Sequence, residues 1–168
     1  EHGIKVYSPR SEMFFERKEI KQVIGCMILC FPEYVRKLQQ RDFSYDFENL
    51  YNYYDTQCIA AARELILQYR DTLGKWIAEK MQKHANLRKD NADYAFTGLL
   101  YQLLQFEPFS TYLGIDMKSG VIDERPARNL SILSSILGEY EYLHRIDVFT
   151  ENNIIESVER FFNMYFRF

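Results

Sequence analysis

The 168-residue chain is 47% hydrophobic, 16% aromatic and 27% charged, with a formal net charge of −3. That is enough apolar side chain to bury a core, too little net charge for a disordered segment, and no global attraction to phosphate. The longest apolar run, Val23 to Phe31, is broken by Gly25 and closed by Pro32, so no membrane span is expected.

The elements follow in chain order. Ile4 to Tyr7 alternates briefly before Ser8-Pro9 and suits a short extended strand. From Phe15 to Phe31 the apolar residues Ile20, Val23, Ile24, Met27 and Ile28 fall at helical spacing, and Pro32 stops or restarts the helix. Asp46 to Ala85 reads as one long helix or two shorter ones, with Leu50, Tyr54, Cys58, Ala61, Leu65, Tyr69, Leu73, Trp76, Ile77 and Lys80 tracing its apolar side and edge. A polar connection, Asn86 to Asn91, leads to a helix from Ala92 to Phe106, capped by Asp90 or Asn91 and ended by Glu107-Pro108. A short helical turn at Phe109 to Leu113 and a loop from Gly114 to Asp123 come next. Pro126 fits the first turn of a helix reaching Arg145, and Thr150 is placed to cap a last helix containing Ile154, Val158, Phe161, Phe162 and Tyr165. The pattern predicts an all-α, irregular multi-helix bundle with a short N-terminal extended segment. Leu99, Leu103, Leu133, Leu137, Phe161 and Phe162 are expected in one core.

Little in the residues points to catalysis. No G-x-x-x-x-G-K-[ST] phosphate loop occurs and the seven glycines are scattered, so no nucleotide site is encoded. His2, His84 and His144 each lie far in sequence from a plausible Ser or Cys nucleophile. Cys26 and Cys30 stand four apart, but with Cys58 as the remaining thiol and no histidine nearby, buried apolar side chains explain them better than a metal site. Among Glu139, Glu141, Glu156 and Glu159 only Glu141 has an E-x-x-H partner, His144, where a di-metal site would use two such pairs, and the four read as solvated helix faces. Tyr45, Phe47, Tyr51, Tyr53 and Tyr54 can stack bases, though their helical spacing favours a core or a partner-docking surface.

Charge is unevenly distributed. Arg63 to Lys89 holds seven basic residues against three acidic ones, whereas Glu139 to Glu159 holds six acids and one arginine. The basic stretch is the candidate for phosphate contact, with Lys75, Lys80, Lys83, Arg88 and Lys89 as the DNA-binding residues.

Two segments carry a resemblance. Lys5 to Lys21, and inside it Phe14-Phe15-Glu16-Arg17-Lys18-Glu19-Ile20-Lys21, is similar to the stretch of superfamily 1 helicases of the UvrD/Rep/PcrA type that leads into the insertion called subdomain 2B. Arg125-Pro126-Ala127-Arg128-Asn129-Leu130, followed by Glu139-Tyr140-Glu141 and Thr150 to Asn152, resembles the late helices of that subdomain. The G-I-G turn by which those subdomains hold duplex backbone is absent, and the nearest glycine-rich point is Gly114 to Gly120.

The resemblance implies that residues 1–31 form the edge of a second motor domain and residues 32–168 a helical 2B-like insertion. The parent protein would then be a cytoplasmic, ATP-dependent DNA helicase, with ATP and Mg bound in its motor domains and no cofactor in this chain. Its implied partners are duplex or single-stranded DNA, held weakly by the chain alone, the motor domains of the same protein and an accessory protein. No enzymatic activity is expected of the chain by itself. The competing expectation is a helical interaction module that docks a partner through its aromatic surface.

Overall fold

The computed structural model describes residues 11–40, 48–86, 93–114, 125–146, 148–150 and 152–164. Among the described residues the chain is all-α apart from one short two-stranded ribbon. The helices are α1 (Ser11–Glu16), α2 (Lys18–Leu29), α3 (Pro32–Gln40), α4 (Glu48–Asn52), α5 (Ile59–Gln68), α6 (Lys75–Ala85), α7 (Phe96–Leu103), α8 (Phe109–Leu113), α9 (Arg125–His144) and α10 (Ile154–Met164). Strands β1 (Asp93–Tyr94) and β2 (Val148–Phe149) pair antiparallel, with Asp93 opposite Phe149. The extended segment expected at Ile4 to Tyr7 lies outside the described residues.

Helix α2 is the axis of the bundle. Every residue from Val23 to Leu29 is buried, so it shows no polar face and takes partners on all sides. Its tightest crossing is with α5, where Gly25 faces the Cys58 carbonyl so closely that a Cβ there would lie 1.9 Å from the oxygen. Only hydrogen fits between the two backbones.

The helical path expected over Asp46 to Ala85 runs from Glu48 to Ala85 but is broken at Tyr69, whose backbone leaves the helix at φ −119° and ψ 50°, and it contains two wide π turns, Tyr53–Cys58 and Arg70–Gly74. The first presents the Cys58 carbonyl to Gly25. At the second, the Gly74 amide bonds back five residues to the Tyr69 carbonyl at 3.0 Å. Such a turn adds a residue and so shifts the buried stripe by one position, and after the first of them Ala62 is buried where the spacing predicts Ala61.

The predicted core residues Leu99, Leu103, Leu133, Leu137, Phe161 and Phe162 are all fully buried. Around them lies an aromatic cluster: Phe96 packs against Phe149, Phe161 and Tyr140 with ring centroids 5.0, 4.6 and 5.6 Å apart. The tyrosines of α4 and the first π turn belong to the same interior. Tyr51, Tyr53 and Tyr54 are buried, and the Tyr53 and Tyr54 hydroxyls donate to the Phe15 and Phe162 carbonyls at 2.6 and 2.5 Å. They are core side chains and not a stacking platform; Tyr45 and Phe47 lie outside the described residues.

Three sequence expectations are corrected. Arg17, in extended conformation, divides the helix expected from Phe15 to Phe31 into α1 and α2. The helix expected from Ala92 begins at Phe96, because Asp93 and Tyr94 are drawn into the ribbon with β2. The last helix begins at Ile154 and not directly after Thr150. There Asn153 accepts from the Thr150 amide at 2.9 Å and donates to the Val148 carbonyl at 3.1 Å, so Asn153 turns the chain from ribbon to helix.

The end of α9 carries one backbone outlier. Arg145 has φ 55° and the Ile146 amide bonds to the Glu141 carbonyl at 3.0 Å, the long bond of a Schellman closure with arginine where glycine is usual. Arg145→Gly should therefore raise stability by about 0.5–1 kcal/mol, a melting-point gain of about 2 °C. A fall in melting temperature would show that the arginine side chain holds the turn.

Candidate nucleic-acid interface

The basic stretch lies on α5, the second π turn and α6. Arg63, Arg70, Lys75 and Lys83 are exposed or partly exposed. Lys75 and Lys83 stand eight residues apart on α6, about 12 Å along its axis. Arg88 and Lys89 lie outside the described residues.

Lys80, expected among the phosphate contacts, is corrected. Its side chain is 10% exposed and its ammonium donates to both carboxylate oxygens of Asp93, at 3.0 and 2.8 Å. One turn further along α6, His84 is buried with Nε2 2.8 Å from the same carboxylate and Nδ1 2.8 Å from the Cys30 carbonyl. Lys80 and His84 stand at i, i+4 and so share a helix face, which points inward.

Asp93 is therefore the centre of a buried charge cluster. Burial pushes its carboxyl upward, but hydrogen bonds from His84 and Lys80, with their positive charges, outweigh that and hold it well below the usual carboxylate range. Lys83 reaches the edge of the cluster, 3.5 Å from Asp93, with its side chain 43% exposed, so it faces both the carboxylate and solvent. Nothing in local composition announces Asp93 as a partner. The available signal is the continuation of the stripe Leu73, Trp76, Ile77 by Lys80 and His84 at the same spacing, which puts two polar groups on a buried face.

The thiols are not arranged for chemistry. Cys26, Cys30 and Cys58 are free and buried. Burial pushes the Cys58 thiol up to about 12, with a hydrogen bond from Tyr53 opposing, and raises the Cys30 thiol as well. Among the described residues no group of three His, Cys, Asp or Glu side chains is placed to hold a metal ion, and no helix is long and apolar enough to cross a membrane.

The acidic end of the chain is only partly a solvated face. Glu141 accepts from the Thr97 amide at 2.9 Å and from its hydroxyl at 2.5 Å, fixing the start of α7 to α9. Glu159 pairs with Lys37 and Glu156 with Arg160. Beside Glu141, Tyr142 is 83% and Leu143 61% exposed.

The two resemblance-bearing segments meet in space. Phe14 and Phe15 anchor the first in the core, Lys21 pairs with Glu16 at 3.0 Å, and the buried Glu19 accepts from the Asn129 side-chain amide at 2.7 Å. Glu19 and Asn129 are 110 residues apart in the chain. No family model, curated protein or solved structure matches the chain.

Proposed function

We propose that the chain is a helical, 2B-like subdomain of an ATP-dependent DNA helicase that contacts duplex DNA ahead of the motor and regulates unwinding. The observation that supports this reading is the Glu19–Asn129 hydrogen bond, which joins the two segments that carry the resemblance. In the resemblance the first segment leads from the motor edge into the insertion and the second lies among its late helices, and a contact between them is in keeping with that reading. In this reading the ATP and Mg sites belong to motor domains elsewhere in the parent protein.

The chain's part is electrostatic and mechanical. Lys75 and Lys83, together with Arg88 and Lys89, meet phosphates and so position the duplex without reading its sequence. Lys80 is a structural residue and takes no part in this contact. A buried core running from α2 to α10 suits a body that swings as a unit between arrangements relative to the motor.

Fluorescence anisotropy with labelled duplexes tests the contact. Duplex binding by the chain should be weak and should fall with added salt. Changing Lys75, Lys83, Arg88 and Lys89 together to alanine should weaken it equally for two unrelated sequences and reduce the salt slope by about 1 for each phosphate no longer neutralised. Unchanged affinity and slope would remove the basic stretch from the interface. A second reading, docking of a protein partner, is favoured by the exposed Tyr142 and Leu143 at the end of α9, and would then stand in its place.

A further inference from the structure

The two ring nitrogens of His84 face groups that only accept. Nδ1 lies 2.8 Å from the Cys30 carbonyl oxygen and Nε2 lies 2.8 Å from an Asp93 carboxylate oxygen. A neutral imidazole has one N–H and one lone pair, so it satisfies one of these contacts and turns a lone pair toward the other oxygen. One extra proton must therefore sit between His84 and Asp93 for both contacts to hold.

The ring cannot turn away from this demand. It stacks on Phe31 at 4.9 Å with an interplanar angle of 7°, and meets the edge of Phe149 at 5.7 Å. Phe149 is the β2 residue opposite Asp93. The acceptors come from different parts of the chain: Cys30 follows α2, Asp93 is in β1, and His84 belongs to the end of α6. Helices α7, α8 and α9 all lie between β1 and β2 in the chain, so the ribbon closes the base of that excursion.

We propose that His84 and Asp93 form a proton-held latch that ties the β1–β2 ribbon, and with it the base of the α7–α9 excursion, to the ends of α2 and α6. Loss of the shared proton leaves a neutral ring that keeps one contact and turns a lone pair toward the other oxygen, so the bridge from Asp93 through His84 to the Cys30 carbonyl is broken and the ribbon is held to α6 by the lysines alone. The other charged groups around the latch stay paired through this change. Lys80 and Lys83 of α6 remain on Asp93, while Glu33, Lys37 and Glu159, which line the neighbouring cleft from α3 and α10, are held in the Glu33–Arg36 and Lys37–Glu159 pairs. The buried Cys30 thiol donates to the Cys26 carbonyl at 3.3 Å and its proton is retained by burial. Among the side-chain types around the latch, imidazole is the one whose ordinary titration range lies between pH 5 and 8. This device is independent of any role in DNA binding.

Two measurements on the full chain test the latch. Nitrogen NMR of the histidine rings in the folded chain at pH 6 should show protons on both nitrogens of His84. A bare ring nitrogen would overturn the proposal without any variant being made. Hydrogen exchange, corrected for intrinsic rates, should then show protection in residues 93–103 and 148–150 falling by about tenfold or more between pH 6 and pH 9, with protection in the centre of α2 unchanged. In His84→Gln, which keeps one pH-independent donor, protection in the same segments should be lower at pH 6 and flat to pH 9, with circular dichroism confirming that the helices persist. Protection in the unaltered chain that is flat to pH 9, or an equal loss in His84→Gln, would overturn the latch.

Discussion

Gly25→Ala should be among the most destabilising single-atom additions in this protein, costing about 3 kcal/mol and about 10 °C in melting temperature. The added Cβ would lie 1.9 Å from the Cys58 carbonyl oxygen, 2.5 Å from its carbon and 2.9 Å from the Ala62 Cβ. The first two are backbone atoms, and the backbone there is pinned by the first π turn, so relief requires α2 and α5 to part. That separation opens the packing of Ile20, Ile24, Ile28 and Leu65 as well. Alanine's better helix propensity returns only about 1 kcal/mol. Gly138→Ala is the matched control. A Cβ at Gly138 meets nothing within 4 Å, so in mid-α9 the same change should stabilise by about 0.5–1 kcal/mol. Urea unfolding of the two variants gives the comparison directly. Equal midpoints would mean that the α2–α5 crossing yields easily to an added methyl group.

Asp93→Ala should cost about as much, for a different reason. It removes the counter-ion of Lys80, whose side chain is 10% exposed, and leaves that ammonium buried with the fully buried His84 ring deprived of its carboxylate partner. Breaking a buried pair on one side typically costs about 3–5 kcal/mol, because the stranded charge keeps its desolvation penalty. The same principle gives a sharper test. Replacing Lys80, His84 and Asp93 together by Met, Phe and Leu removes every stranded charge and should cost less than Asp93→Ala alone. If the triple variant is the less stable of the two, directional hydrogen bonding and not charge burial governs the site.

The pH dependence carries the same signature. The Asp93 carboxyl is depressed in the folded chain, so its contribution to stability is present above its unfolded value of about 3.9 and is lost as pH falls through the folded one. Asp93→Asn should be less stable at neutral pH and should lose less of its remaining stability between pH 5 and pH 2 than the unaltered chain. Parallel acid transitions for the two chains would contradict this assignment.

Much of the architecture is legible in the sequence because it rests on local repeats. Leu99, Leu103, Leu133 and Leu137 recur at helical spacing on faces broad enough to need burial, and they are buried. Pro32 and Glu107-Pro108 mark helix boundaries because proline cannot continue the hydrogen-bond ladder. What escapes is set by residues distant in the chain. Asp93 reads as a first-turn acid of a helix, and only the cluster of Lys80 and His84 across from it explains why it leaves that helix for a strand. Gly25 reads as a flaw in an apolar helix until Cys58, 33 residues later, is found against it. Lys80 is a phosphate candidate on charge alone, and its place on the apolar stripe is the competing signal that prevails. Within the candidate interface, composition identifies the basic stretch, and the structure separates the outward Lys75 and Lys83 from the interior Lys80.

The proposed function is tested most directly in the parent helicase that it requires. Unwinding of a tailed duplex and single-strand-stimulated ATP hydrolysis should be measured side by side for the parent and for the variant with Lys75, Lys83, Arg88 and Lys89 changed to alanine. The expected result is unwinding reduced by about tenfold with ATP hydrolysis nearly unchanged, because the duplex phosphates are no longer held while the motor is untouched. Normal unwinding by that variant at moderate salt, or an intact protein without DNA-stimulated ATP hydrolysis, would contradict the assignment of this chain as a duplex-handling helicase subdomain.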